Sequence, residues 1–254
     1  MELFGFSVEI LGFLFLVGIF AGFIDTLAGG GGLITLPALV MSGLPPLAAL
    51  GTNKLQGAVG TAVATAMMLR KKRFVFSQVK TLMVAAFIGS ALGSIAVQFI
   101  NTKALSFVIP IVLVIIVIYF LFAPVGYAAG QEKISNQIYQ WLIVPIIGWY
   151  DGMFGPGTGS FFGLAGVSLR GHSLIDATAI AKSLNFSTNI AALIVFVFAG
   201  KIIWIVGATM MAGQAIGAWI GSHYLVSINP KYLRWLVVII CLAMLARYLT
   251  VEIL

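Results

Sequence analysis

The sequence predicts an all-α polytopic membrane protein: two inverted repeats of about four to five helical segments each, with a Gly-rich broken helix in each repeat. Three observations predict it. Hydrophobic residues make up 61% of the 254 and charged residues 8%, with a mean hydropathy of +1.12, far from the balance of a domain dissolved in water. An unusual motif is written twice, as Gly22-Phe23-Ile24-Asp25-Thr26-Leu27-Ala28-Gly29-Gly30-Gly31-Gly32 and Gly148-Trp149-Tyr150-Asp151-Gly152-Met153-Phe154-Gly155-Pro156-Gly157. An offset of 126 residues places Gly22 on Gly148, Asp25 on Asp151, Gly29 on Gly155 and Gly31 on Gly157. Finally, the basic residues are unevenly spread: Arg70, Lys71, Lys72 and Arg73 form one cluster of four among fourteen.

In the first half, residues 1–123, apolar segments run over 6–27, 33–41, 47–69, 79–99 and 104–123. Residues 104–122 carry no charge over 19 positions, enough at 1.5 Å per residue to cross about 30 Å of hydrocarbon. The first segment lacks a basic flank and runs into the first motif, so it is read as a span and not as a cleaved signal. The second is too short to cross alone. Residues 124–137, with Gly126, Gly130, Glu132, Lys133 and Asn136, form a polar cytoplasmic linker. In the second half, residues 138–254, segments run over 138–154, 159–169, 175–199, 202–225 and 233–251, and the short second segment recurs. The glycines of Gly89-Ser90-Ala91-Leu92-Gly93 are answered by Gly213-Gln214-Ala215-Ile216-Gly217, extended to Gly221, as smooth stripes for close helix packing.

The positive-inside rule puts the Arg70–Arg73 cluster in the cytoplasm. If each short segment returns the chain to the face it left, Lys80, Lys133, Arg170, Lys231 and Arg234 also fall inside and Lys103, Lys201 and Arg247 outside. Both termini then lie outside, and an odd number of crossings per half inverts the second repeat. The net charge of +7 is explained by this asymmetry and gives no reason to expect nucleic acid. The sole cysteine, Cys241, has no intrachain partner and reads as an apolar helix residue. His172 and His223 lack a second ligand at metal spacing, so neither metal nor cofactor is expected. Tryptophans near span ends fit aromatic belts.

The chemistry sits in the doubled motif. A run of four glycines, Gly29, Gly30, Gly31 and Gly32, breaks a helix and frees backbone groups that lipid cannot satisfy, so it belongs inside protein or beside a wet cavity. Each following short helix opens with free N–H groups and a positive dipole end, which favours an anion. Gly155, Gly157 and Thr158 form the second such cradle. Asp25 and Asp151 then read either as proton-coupling groups or as caps for the broken helices. Aligning Leu55-Gln56 with Leu184-Asn185 makes Asn53, Gln56 and Gly60 answer Lys182, Asn185 and Asn189, spaced i, i+3, i+7 on one helix face. Lys182 is the leading anion contact. Lys54, one position off the stripe, serves either a substrate or a structural pairing with an aspartate. Thr52, Ser183, Ser187 and Thr188 are expected to bond carbonyls of their own helices.

These motifs, with Leu36-Pro37-Ala38-Leu39, Ala49-Leu50-Gly51-Thr52-Asn53-Lys54-Leu55-Gln56, Thr158-Gly159-Ser160-Phe161 and Ala181-Lys182-Ser183-Leu184-Asn185, resemble the TauE/SafE family of membrane proteins, specifically its YfcA-like branch. The resemblance covers essentially the whole chain. It implies a transporter of the bacterial inner membrane, with export of sulfite, sulfoacetate and related sulfur-containing anions among its members, and a pathway lined by the two Gly-rich motifs. The expected function is therefore secondary transport of a small anion by alternating access, with the bilayer as solvent and with glycine stripes that permit a homodimer. An anion channel is the alternative, and an intramembrane aspartyl protease using Asp25 and Asp151 is a remoter one.

Overall fold

A computed structural model describes residues 2–3, 5–122, 130–224, 235, 238–239 and 242–243. A two-stranded hairpin, β1 (Glu2–Leu3) and β2 (Phe6–Ser7), precedes α1 (Val8–Ala28), α2 (Gly32–Met41), α3 (Pro46–Arg70), α4 (Phe76–Gln98) and α5 (Thr102–Phe122). Then α6 (Asn136–Ile138), a π-helical stretch (Tyr139–Ile143) and α7 (Val144–Met153) run on without a break, followed by α8 (Thr158–Arg170), α9 (Leu174–Phe198) and α10 (Trp204–Tyr224). The expected final segment, with Lys231, Arg234, Cys241 and Arg247, and the linker's first residues, 124–129, lie outside the described residues or nearly so.

Local chemistry sets the element ends. Ser7 accepts the N–H of Ile10 to open α1. Ser173 accepts the N–H of Asp176 while its hydroxyl donates to Asp176 Oδ2, an N-cap that opens α9. Pro46 starts α3, where a missing N–H costs nothing. α1 ends at Gly29, whose φ of +75° only glycine adopts readily and whose N–H reaches the Asp25 carbonyl. Among the described helices, α1, α4 and α9 are each long and apolar enough to cross a bilayer. α3 is as long as α9 but carries Asn53, Lys54 and Gln56 buried at its middle.

The packing sorts the helices into two bundles. α1, α3 and α10 pack on one another with α2 against α1 and α3, and α4, α7 and α9 pack on one another with α8 against α7 and α9. Each bundle thus takes one helix from the other half of the sequence: α10 joins the first and α4 the second. Glycine stripes make these exchanges tight. A methyl group added at Gly93 would come within 2.0 Å of the Trp149 carbonyl oxygen, and one at Gly217 within 1.9 Å of that of Ile19. In return, Gly152 faces the Ser90 carbonyl and Gly22 that of Gln214. Between the bundles α3 lies on α9, and α1 touches α8 and α9.

The outer surface is apolar: Leu16, Leu92, Phe107 and Phe198 are each more than half exposed, a surface that suits lipid and not water. The interior is the reverse, with Lys54, Lys182, Asp151, Thr52, Gln56 and Ser90 all buried. Met68 of α3, Val79 of α4 and Ala179 of α9 share one cluster beside the Arg70–Arg73 cluster. Arg170 bonds the Ile134 carbonyl and Glu132, at the end of α8 that leads into α9, so it lies on that same face.

Candidate functional site

The two helix breaks meet at the middle of the molecule. A methyl at Gly29 would lie 2.4 Å from the Gly159 carbonyl carbon, and one at Gly32 3.1 Å from Pro156 Cα. The Ser160 hydroxyl donates to the Ala28 carbonyl across the same seam. In the second break the Tyr150 hydroxyl donates to the Pro156 carbonyl at 2.7 Å and Gly157 caps α8, holding the loop in shape. Gly155 adopts φ +95°, and a side chain there would strike the Lys54 ammonium at 2.8 Å.

Two ion pairs bridge the bundles at this seam. Lys54 of α3 holds Asp151 of α7, Nζ to Oδ1 2.9 Å, and also donates to the Asp151 carbonyl. Lys182 of α9 holds Asp25 of α1, Nζ to Oδ2 3.1 Å, and donates to the Asp25 carbonyl. Both lysines and Asp151 are 1% exposed, and Asp25 is 8% exposed. The pairing is reciprocal: each half supplies the lysine for the other half's aspartate. Each lysine takes up the carbonyl as well as the carboxylate at its aspartate, so the backbone near both breaks is tied by a side chain. Asp25 has a further task, accepting the Gly31 N–H at Oδ1, 3.1 Å, at the positive end of α2.

This reciprocity corrects the register read from the sequence. Lys54, not Asn53, is the counterpart of Lys182, and by the same offset Gly57 answers Asn185 and Thr61 answers Asn189. Asn53 instead accepts from the Thr35 hydroxyl and from Gln56 Nε2 at Oδ1, which leaves its Nδ2 without a partner. Asn185 Oδ1 is similarly occupied by Asn189 Nδ2 at 3.2 Å, leaving the Asn185 amide nitrogen free. Two side-chain N–H donors, one from each half, thus remain unspent.

A cavity of about 30 Å³ lies between the ion pairs, lined among others by Asp25, Lys54, Asp151, Asn53, Asn185 and Gln214. Gly29, Gly32, Gln56, Gly155 and Asn189 line it as well; Gly30, Gly31, Gly157, Thr158 and Lys182 do not. Its volume holds roughly two water molecules. The sequence reading passed over Gln214, Thr61 and Gly57 of this wall. The signal for Gln214 was present: it is the polar residue inside a glycine stripe of an apolar span. Of the four hydroxyl residues expected to bond their own helices, Ser183 and Thr188 do. Thr52 instead accepts the N–H of Ile203, and Ser187 donates to the Met83 carbonyl, because both face a neighbouring helix at the bundle contacts.

The profile of the family described as "Sulfite exporter TauE/SafE" matches residues 14–248. The chain belongs to the TauE/SafE family. This TauE/SafE member is 42% identical to a "Probable membrane transporter protein" of Haemophilus influenzae over 95% of both chains. It is 41% identical to the Escherichia coli K12 "Probable membrane transporter protein YfcA", over 98% of this chain and 93% of that one. A Bacillus subtilis relative, "Probable membrane transporter protein YjnA", is 26% identical over 89% of this chain and 95% of its own. No solved structure matches. The protein is a multi-pass membrane transporter and not an enzyme.

Proposed function

We propose that this TauE/SafE member is a secondary transporter that moves a small sulfur-containing anion across the bacterial inner membrane by alternating access around the central cavity. One observation carries the reading. Both buried ammonium groups bridge the two bundles at the point where two helix breaks and two unspent amide donors converge. An anion that draws a lysine from its aspartate loosens the contact between the bundles, which is what an alternating-access site requires. Lys54 lines the cavity and Lys182 does not, so Lys54 makes the first contact and Lys182 serves the opposite-facing state. The shared face of the Arg70–Arg73 cluster and Arg170 supports a cytoplasmic assignment for that side, with Lys201 at the far end of α9.

The test is flux into proteoliposomes. Sulfite and methanesulfonate influx are expected to saturate with concentration, and Lys54→Ala is expected to abolish both. Influx that rises linearly without saturation would favour a channel instead. Retained flux in Lys54→Ala would remove that lysine from the site.

A further inference from the structure

Among the described residues, three buried side-chain atoms without a hydrogen-bond partner belong to the cavity wall: Gln56 Oε1, Gln214 Oε1 and Asp151 Oδ2. All three are acceptors. A glutamine answers either kind of partner by turning its amide over, but a carboxylate oxygen becomes a donor only by taking a proton. Asp25 is differently placed. Its Oδ1 accepts the Gly31 N–H and its Oδ2 accepts from Lys182, so neither oxygen is vacant. Asp151 concentrates its donors on Oδ1, which takes Lys54 at 2.9 Å and the Thr158 hydroxyl at 2.8 Å.

We infer that Asp151, and not Asp25, takes up a proton at Oδ2 when an anion binds, as Lys54 passes from Asp151 to the anion. This rests on the anion reading above and adds which carboxylate couples and to what. While Lys54 stays on Oδ1, the pair is neutral. Once the ammonium turns to an anion, Asp151 would be left as an uncompensated buried charge, and a proton delivered by solvent to Oδ2 removes that charge. One O–H bond forms at Oδ2 as one O–H bond of a solvent hydronium breaks, and no electron moves. Anion and proton therefore travel together in one direction, with no net charge moved for a monovalent anion.

The surroundings of Asp151 single out Lys54. On its own helix Tyr150 is committed to the Pro156 carbonyl. From the packed helices, Lys182 of α9 is held by Asp25 of α1, while Lys80 of α4, Arg170 of α8 and Asp176 of α9 sit at or near helix ends.

Calorimetry of methanesulfonate binding to the purified protein, in buffers of different ionisation heat, reads protons taken up per anion; methanesulfonate itself does not titrate. Wild type and Asp25→Asn are expected to take up about one proton per anion, and Asp151→Asn none while still binding. Uptake that persists in Asp151→Asn, uptake lost only in Asp25→Asn, or binding that follows sodium and not pH overturns the assignment. If sulfite and methanesulfonate both fail to bind wild type, the anion reading falls, and the carboxylate is judged without a ligand by infrared titration. In Lys54→Met, where the ammonium has left Asp151 as it would for an anion, the carbonyl band of a buried protonated carboxylic acid should appear, and it should be missing when Asp151→Asn is added. A band that survives in that double variant, or that fails to appear in Lys54→Met, overturns the inference. Thermal melting of each variant confirms that it is folded.

Discussion

Lys54 and Asp151 are each 1% exposed, so removing one leaves the other buried without its counter-charge. Lys54→Met is expected to destabilise the folded protein by about 3–5 kcal/mol, and adding Asp151→Asn should recover most of that loss, because the cost lies in burying the carboxylate alone or protonating it. A double-mutant cycle on thermal melting in detergent checks this; additive losses would show that the pair is not coupled. The sequence marked both aspartates and both lysines by their cost inside a span. Which lysine meets which aspartate was not legible, since residues 97 and 157 positions apart are joined only by packing. A one-residue error in aligning the third segments, which nothing local penalises, was enough to hide Lys54 behind Asn53.

At the scale of the helix, the glycine stripes set the distances between partners. Gly217→Ala forces a methyl against the Ile19 carbonyl, and backbone cannot turn aside as a side chain can, so α1 and α10 must part. The expected loss is about 1–3 kcal/mol, seen as a lower melting temperature. Gly163→Ala is the control: an added methyl there meets nothing within 4 Å, and the better helix former should leave stability unchanged or slightly higher. Element boundaries were largely readable beforehand. Hydrophobic length placed nine segments within a few residues of the helices found, and the short α2 and α8 emerged where Gly31 and Ser42, and Gly157 and Gly171, bound them. The π-helical stretch over Tyr139–Ile143 left no signature in composition.

For the whole molecule, the partition into bundles decides what moves. Met68 of α3 and Ala179 of α9 share one apolar cluster across the bundle boundary, while Phe23 of α1 and Tyr224 of α10 meet edge to face within one bundle, ring centres 6.4 Å apart. With Cys241 replaced by serine, crosslinking cysteines at 68 and 179 is expected to stop anion flux reversibly. Crosslinking cysteines at 23 and 224 should leave it largely intact. Equal inhibition by both would mean that α1 and α10 also move apart during the cycle.

The sequence by itself determined the solvent, the order of the described segments, the two helix breaks and the polar residues that had to be inside. Each of these follows from local composition and period, since lipid penalises every exposed polar group wherever it occurs. Only the tertiary structure decided the exchange of α4 and α10 between bundles, the crossed pairing of Lys54 with Asp151 and Lys182 with Asp25, and the vacancy at Asp151 Oδ2. Those depend on which surfaces meet across long stretches of chain, and two near-equivalent halves offer several pairings of similar composition. Steric fit of glycine to carbonyl, and the need to neutralise each buried charge, choose among them.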